Sequence, residues 1–220
     1  MTLSDIKTLL ASEDPQLRLK GLVALKDHDA QDAAPLLIQQ RKDSAFLVRS
    51  FVAMGLGRKQ TDECYAALLD MLKTEPDNNV QAEIANSLGL YGPVAVERLV
   101  NLFYENENWL VRRSILAIMP ELESPDQLLK LALESLKDKD ETIKQAGIST
   151  LALLADTPQS EAALQALLPF VQSHSWRSRL TLAHALKRFS SEPAKDALSK
   201  LRQDDHHKVV AAALEGLLPT

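Results

Sequence analysis

The sequence is poor in the residues that favour strands and irregular chain. It has 7 glycines among 220 residues, and aromatic side chains make up 5%. Leu, Ala, Lys, Glu and Gln are abundant instead. These residues have high helix propensity, whereas strands are enriched in aromatic and β-branched residues. The composition therefore predicts an all-α protein.

Cysteine and long apolar runs are also scarce. The single cysteine, Cys64, excludes an internal disulfide framework and is typical of a reducing compartment. No apolar run approaches the roughly 20 residues that a membrane-spanning helix needs. The N-terminus lacks a basic leader followed by an apolar core. We therefore expect a cytoplasmic protein without membrane insertion.

Positive charge is in deficit over the whole chain. The formal net charge is -5 and the sequence pI is about 5.6. Binding to nucleic acid by charge requires a surplus of Lys and Arg on one face, because those residues neutralise phosphates. The charge balance therefore argues against a nucleic-acid partner.

An internal repeat organises the sequence. A reference residue, usually basic and preceded by an aliphatic one, recurs at spacings of 31, 32, 31, 32, 35 and 31 residues. Each spacing is the length of one helical hairpin with its turns. In chain order, the reference residues are Arg18, Arg49, Gln81, Arg112, Lys144, Arg179 and Val210. The spacing predicts seven hairpins, each with a helix A followed by a helix B.

Two further columns support this register. Seven positions after the reference residue, every unit has a large unbranched hydrophobic residue, which we assign to the core: Leu25, Leu56, Leu88, Met119, Leu151, Leu186 and Leu217. Four positions before it, five units have a residue whose side chain can cap the start of helix B. These caps are Asp14, Asp77, Asn108, Asp140 and Ser175.

Two segments of the repeat resemble a known family. Residues 14–18 with Ala24 and Leu25, and Val48 and Arg49 with Leu56 and Gly57, are similar to HEAT repeats, especially the bacterial phycobilisome lyase-type HEAT-like repeats. The resemblance covers nearly the whole chain. It implies a right-handed α-α superhelix, or α-solenoid, of about seven HEAT-like hairpins, which we expect to form one domain over residues 1–220. Such proteins include chromophore-lyase subunits, assembly factors and adaptors.

The reference arginines lie beside repeated acidic residues. They could form a basic binding ridge, but the pattern is more typical of a ladder that ties neighbouring hairpins together. Gln81 and Val210 replace the usual Arg, and Pro120 replaces the usual Gly. We therefore expect the ladder to be interrupted at those units.

Residues with chemistry of their own are few. His206 and His207 follow two aspartates, and such clusters can hold zinc, but no cysteine is near and acidic residues here can serve as helix caps. Cys64, near the start of a helix A, is most simply a passive cysteine. No phosphate loop, nucleophile elbow or metalloprotease motif occurs. We therefore predict no catalytic residue, cofactor or metal.

Aromatic residues occur at one repeat position, three before the reference residue. Phe46, Trp109 and Trp176 hold this position in the second, fourth and sixth units. They could form an aromatic rail for a ligand. Helical projection instead favours packing of these side chains under the turn between helices A and B.

The outer face of helix B is the best candidate for a binding surface. Positions one, two, five and nine after the reference residue face away from the core, and in HEAT-like stacks helices B line the concave surface. At the N-terminal end this face is apolar, and such patches usually mark contact sites, unless the N-terminal segment or a dimer covers them. The predicted partner-binding residues are Leu19, Lys20, Val23, Phe51, Met54, Arg58, Glu83, Asn86, Arg113, His184 and Arg188.

The sequence therefore predicts a non-catalytic scaffold or assembly factor that binds another protein, of unknown identity, on its concave face. The resemblance implies one alternative, a subunit of a bilin lyase-isomerase that acts on phycobiliproteins. A reader of damaged DNA, like the helical DNA-alkylation-repair proteins, is less favoured because the chain is acidic. The apolar stretch from Val209 to Leu218 also suggests a homodimer through the C-terminal unit.

Overall fold

A computed structural model describes residues 1–215, and within them the chain forms fourteen α-helices and no strand. The helices alternate as A and B along seven hairpins, and this confirms the predicted all-α fold of HEAT-like hairpins. The helices are α1 (Leu3–Leu10), α2 (Pro15–Ala24), α3 (Ala30–Gln39), α4 (Phe46–Lys59), α5 (Asp62–Thr74), α6 (Asn78–Gly89), α7 (Val96–Glu105), α8 (Trp109–Ile118), α9 (Pro125–Ser135), α10 (Glu141–Ala152), α11 (Ser160–Leu167), α12 (Trp176–Leu186), α13 (Glu192–Leu201) and α14 (His207–Leu214).

Side-chain caps begin helix B at all five predicted positions. Asp14 accepts a hydrogen bond from the backbone N–H of Gln16, and Asp77 accepts from those of Asn79 and Val80. Asn108, Asp140 and Ser175 cap α8, α10 and α12 in the same way. Each cap satisfies a backbone donor that has no partner within the helix, so it fixes where helix B starts.

The predicted core column is buried in every unit that the structure describes. Leu25 is 1% exposed, and its equivalents Leu56, Leu88, Met119, Leu151 and Leu186 are each 0% exposed. Leu217 lies outside the described residues. The column confirms the repeat register, because a shift by one residue would turn these side chains by about 100° around the helix.

The chain divides into two compact units. The first unit is Met1–Leu122, with four hairpins, and the second begins at Glu123, with three. Within the first unit, helices B pack in series, α2 on α4, α4 on α6 and α6 on α8; within the second, α10 packs on α12 and α12 on α14. Pro120 lies near the boundary, in the 3-10 segment Met119–Leu122 that follows α8. That residues 1–220 form one solenoid domain stays a prediction.

Ion pairs link successive hairpins, as the ladder interpretation expects. Arg18 Nε and Nη2 donate to the two carboxylate oxygens of Asp43 over 2.6 and 2.8 Å, and Nη1 donates to the carbonyl of Ser12 over 2.9 Å. Arg49 is paired in the same manner with Glu75, and Arg179 with Asp204. Each acidic partner lies six residues before the next reference residue. We call each such pair a rung.

The third rung is neutral rather than interrupted, which corrects the expectation for Gln81. Gln81 Nε2 donates to the carbonyl of Glu75 over 2.6 Å, and its side-chain oxygen accepts from Asn106 Nδ2. Asn106 stands where the charged rungs have Asp or Glu. Both members of the pair therefore change together, so the rung is kept without leaving a buried charge unpaired.

The aromatic residues do not pack under the turns as predicted. Phe46 is 48% exposed and Trp109 is 44% exposed. Both are the first residue of their helix B. Trp176 is half-buried and stacks on His206, with 4.0 Å between ring centroids.

Candidate functional site

Helices α2 and α4 of the first unit form an apolar pocket on the predicted binding face. Its volume is about 80 Å³, and its apolar lining is Leu22, Val23, Leu25, Leu37, Phe51 and Met54. Gly55 completes the wall, where an added Cβ would lie 2.6 Å from Leu37 Cδ2. The absence of a side chain at Gly55 therefore lets Leu37 approach α4.

Four of the predicted partner-binding residues meet at this pocket. Val23 is 54% exposed, Phe51 and Met54 are half-buried, and Arg58 is exposed. The half-buried state of Phe51 and Met54 means that each rests partly on its own unit. An open apolar surface of this kind can gain stability by covering its remaining area with another molecule.

Leu19 differs from the expectation, because only 9% of it is exposed. The prediction placed the position after the reference residue on the open face. In the next two hairpins this position holds Ser50, which is half-buried, and Ala82, which is 4% exposed. In these three hairpins the position therefore faces the neighbouring helix B, whereas Arg113, at the same position in the fourth hairpin, is exposed. Leu19 contributes to the core of the first unit.

The rim of the pocket is positively charged. Lys26, Arg58 and Lys59 line it, and no residue of the lining is acidic. Lys59 Nζ donates to the carbonyls of Lys26 and His28, over 3.2 and 2.5 Å, so this ammonium is fixed at the end of the 3-10 segment that follows α2. Lys26 and Arg58 are exposed.

Glu83 on α6 adds one negative charge beside the rim. Burial raises the pKa of its carboxyl group, and the nearby Arg58 guanidinium partly opposes that rise. Asn86 is half-buried on the same helix, whereas Lys20 and Arg113 are exposed. None of these four residues lines the pocket itself.

The two remaining predicted residues lie in the second unit. His184 is exposed, with Nδ1 3.5 Å from a carboxylate oxygen of Glu215, and Lys187 donates to the same oxygen over 2.7 Å. Arg188 lines a separate pocket of about 500 Å³ with Phe189 and Pro193. In the sixth hairpin, the repeat positions of Phe51, Met54 and Arg58 therefore hold the polar residues Thr181, His184 and Arg188.

Sequence reasoning missed Lys26 and Lys59 as members of the site. They lie eight and ten positions after their reference residues, on either side of the ninth position, which Arg58 holds. A signal was available, because cations are favoured where the last carbonyls of a helix are unpaired. Comparing the ends of α2 and α4 would have found a cluster of three cations.

The other candidate chemistry has a structural role. Cys64 is buried in α5, and His206 Nδ1 accepts from the backbone N–H of Lys208 at the start of α14. Within residues 1–215, no group of three or more His, Cys, Asp or Glu residues is placed to hold a metal ion. In that same range, no helix is both long and apolar enough to span a bilayer.

A family model for HEAT repeats matches four overlapping stretches, residues 3–89, 34–119, 65–152 and 125–218. The chain belongs to the HEAT-repeat family. The matches reach from the first hairpin to the last, in agreement with the register of reference residues. No curated protein matches the sequence.

Solved structures with a similar fold include two that span almost the whole chain. The Escherichia coli protein YibA has 15% identity and a TM-score of 0.65, with 98% of this chain and 92% of that one covered. The complex of CpcE and CpcF of phycocyanin lyase from Nostoc sp. PCC7120 has 16% identity and a TM-score of 0.57, with coverages of 99% and 95%. These likenesses show a shared HEAT-repeat fold.

Proposed function

We propose that this HEAT-repeat protein is a non-catalytic scaffold or assembly factor that binds another protein through the helix B face of its first unit. The observation that carries the proposal is the open apolar pocket between α2 and α4, with Val23 54% exposed beside Phe51 and Met54. Pockets that hold an anchor side chain supply most of the free energy in many protein interfaces.

The experiment compares two equivalent positions with a photo-crosslinking amino acid. Val23 and His184 each lie five residues after their reference residue, and both are exposed. We expect a crosslinker at position 23 to attach to a partner protein in native extract, and one at position 184 to attach to none. Mass spectrometry then identifies the partner and the peptide that contacts the pocket.

A double substitution tests whether the pocket is responsible. Phe51→Asp with Met54→Asp should abolish crosslinking from position 23, because it places two charges in the apolar wall. The matched control is Thr181→Asp with His184→Asp, at the same repeat positions in the second unit. Because Phe51 and Met54 are half-buried, circular dichroism must show that both variants keep their helix content. Equal crosslinking from positions 23 and 184 would refute the proposal.

The bilin lyase-isomerase alternative is supported by the likeness to the fold of phycocyanin lyase. Co-expression with the enzymes of bilin synthesis distinguishes the two functions. A lyase subunit would give a coloured phycobiliprotein product, whereas a scaffold would leave it colourless.

We propose in addition that the protein is cytoplasmic and that it forms a homodimer through its C-terminal unit. Light scattering of the purified protein tests the dimer, since a monomer mass at micromolar concentration would exclude a stable one.

A further inference from the structure

The pocket of the first unit is small for an open binding site. Its volume of about 80 Å³ is roughly half of the ~150 Å³ of an engineered cavity that binds benzene. Six of its lining residues have apolar side chains, and the polar ones are the three cations of the rim. This size and lining favour one branched aliphatic side chain over an aromatic ring.

The charge around the pocket opposes that of the whole protein. Three cations line it, without an acidic residue, in a chain whose formal net charge is -5. The Lys59 ammonium is held by backbone carbonyls, while Lys26 and Arg58 are exposed. A ligand that brings carboxylates to this rim would gain attraction, and a cationic one would be repelled.

From these two properties we infer that the pocket binds a peptide segment in which an aliphatic side chain is flanked by acidic residues. The aliphatic side chain enters the pocket and packs against Phe51 and Met54, and the flanking carboxylates lie over Lys26 and Arg58. This inference rests on the proposed function, since it specifies the chemistry of the partner that the first unit would bind.

A substitution at Glu83 tests whether the ligand of the pocket is negatively charged. The charge of Arg58 favours the ionised form of the half-buried Glu83 carboxyl group, so Glu83 competes with an acidic ligand for the field of that guanidinium. Removing the charge with Glu83→Gln should strengthen the binding of an acidic peptide, whereas Arg58→Ala should weaken it. A purely hydrophobic pocket would not respond to Glu83→Gln, because Glu83 does not line it.

The experiment uses the full-length protein with 13C-labelled methionine methyl groups. Met54 is in the pocket, while Met71 and Met119 are 4% and 0% exposed and serve as internal references. Capped pentapeptides with a central Leu between pairs of Glu are titrated. Comparison peptides have Lys in place of Glu, or Ala or Trp in place of Leu.

We expect the Glu–Leu peptide to shift the Met54 signal with a Kd on the order of 1 mM, typical of a single weak anchor. The Lys, Ala and Trp versions should bind at least about tenfold more weakly. Arg58→Ala should weaken the binding of the Glu–Leu peptide about threefold, and Glu83→Gln should strengthen its binding by a similar factor. Effects of this size are typical of exposed charge pairs. High salt should remove both effects.

Equal or tighter binding of the Lys, Ala or Trp peptide, or no Met54 shift with any peptide, would overturn the inference. The proposed function fails separately, when the crosslinker at position 23 captures no more than the one at position 184. Capture at position 23 of a segment without acidic residues would leave the scaffold function standing and refute only the ligand chemistry.

Discussion

The first and second units contain ion-pair rungs of the same geometry, but the residues on the open faces of their helices B differ. Arg18 with Asp43, and Arg179 with Asp204, have ion-pair distances of 2.6 Å in both cases. The acidic side chains are 5% and 6% exposed. On the open face of helix B, however, the fifth position holds Val23 and Met54 in the first two hairpins, and Ser149 and His184 in the fifth and sixth. The contrast indicates that two hairpins can keep the same rung while their open faces differ.

The physical reason lies in how many partners each position has. A rung arginine bonds its carboxylate partner and the carbonyl six residues before it, and that carboxylate also accepts a backbone N–H, from Ala45 or His206. A change at a rung therefore leaves several buried polar groups unpaired. A change at an open-face position breaks no such network, so the surface can acquire binding chemistry without loss of the fold.

The largest effect we expect comes from breaking a rung. Asp43→Ala leaves the Arg18 guanidinium without its carboxylate, and the Arg18 side chain is only 11% exposed. Loss of one partner of a buried pair costs roughly 3 kcal/mol of unfolding free energy. Urea denaturation followed by circular dichroism measures it.

The second unit supplies the matched comparison. Asp204→Ala should cost less than Asp43→Ala, because Arg179 Nη2 also donates to Asp205 over 2.6 Å. Asp204→Ala with Asp205→Ala should restore the larger cost, whereas Asp205→Ala alone should change stability little, since its side chain is 89% exposed. If the double variant remained as stable as the wild type, the two rungs would not be equivalent.

The hairpin register and the caps could be predicted because they depend on short, repeated patterns. Leu25 and its column needed only a constant spacing, and Asp14 or Asp77 needed only a capping side chain at a helix start. The pocket was partly predicted: Val23, Phe51 and Met54 follow from helical projection. Leu37 and Gly55 could not be assigned to it, because their places depend on how closely α3 approaches α4. The same limit explains Leu19, whose burial depends on its neighbouring helices.

A smaller effect should appear as a pH dependence that separates charged from neutral rungs. The hydrogen bond from Arg179 lowers the pKa of Asp204 to about 2, below the ordinary value of 3.8. A carboxyl group with a lowered folded-state pKa contributes its full stability above the unfolded-state pKa, and this contribution is lost as the pH falls toward 2. The cost of Asp204→Asn should therefore shrink by roughly 1–2 kcal/mol between pH 4 and pH 2.

The neutral rung gives the control for that pH dependence. Gln81 and Asn106 have no titratable group, so the cost of Asn106→Ala should be the same at both pH values. Urea titrations at pH 4 and pH 2 measure each cost against the wild type. A constant cost of Asp204→Asn would show that Asp204 contributes packing rather than charge.

We expect the smallest effect on stability from an exchange of residues between the open faces of the two units. This exchange also tests most directly whether the two faces differ in binding. Val23 and Ser149 hold the same repeat position and are both exposed, and Val and Ser have similar helix propensities. Val23→Ser and Ser149→Val should each change the free energy of unfolding by less than about 0.5 kcal/mol. Val23→Ser should nevertheless weaken the Glu–Leu peptide, whereas Ser149→Val should create no binding, because the second unit has Thr181 where the pocket has Phe51. A large loss of stability from either exchange would mean that the open face is part of the fold, and binding could not then vary independently of it.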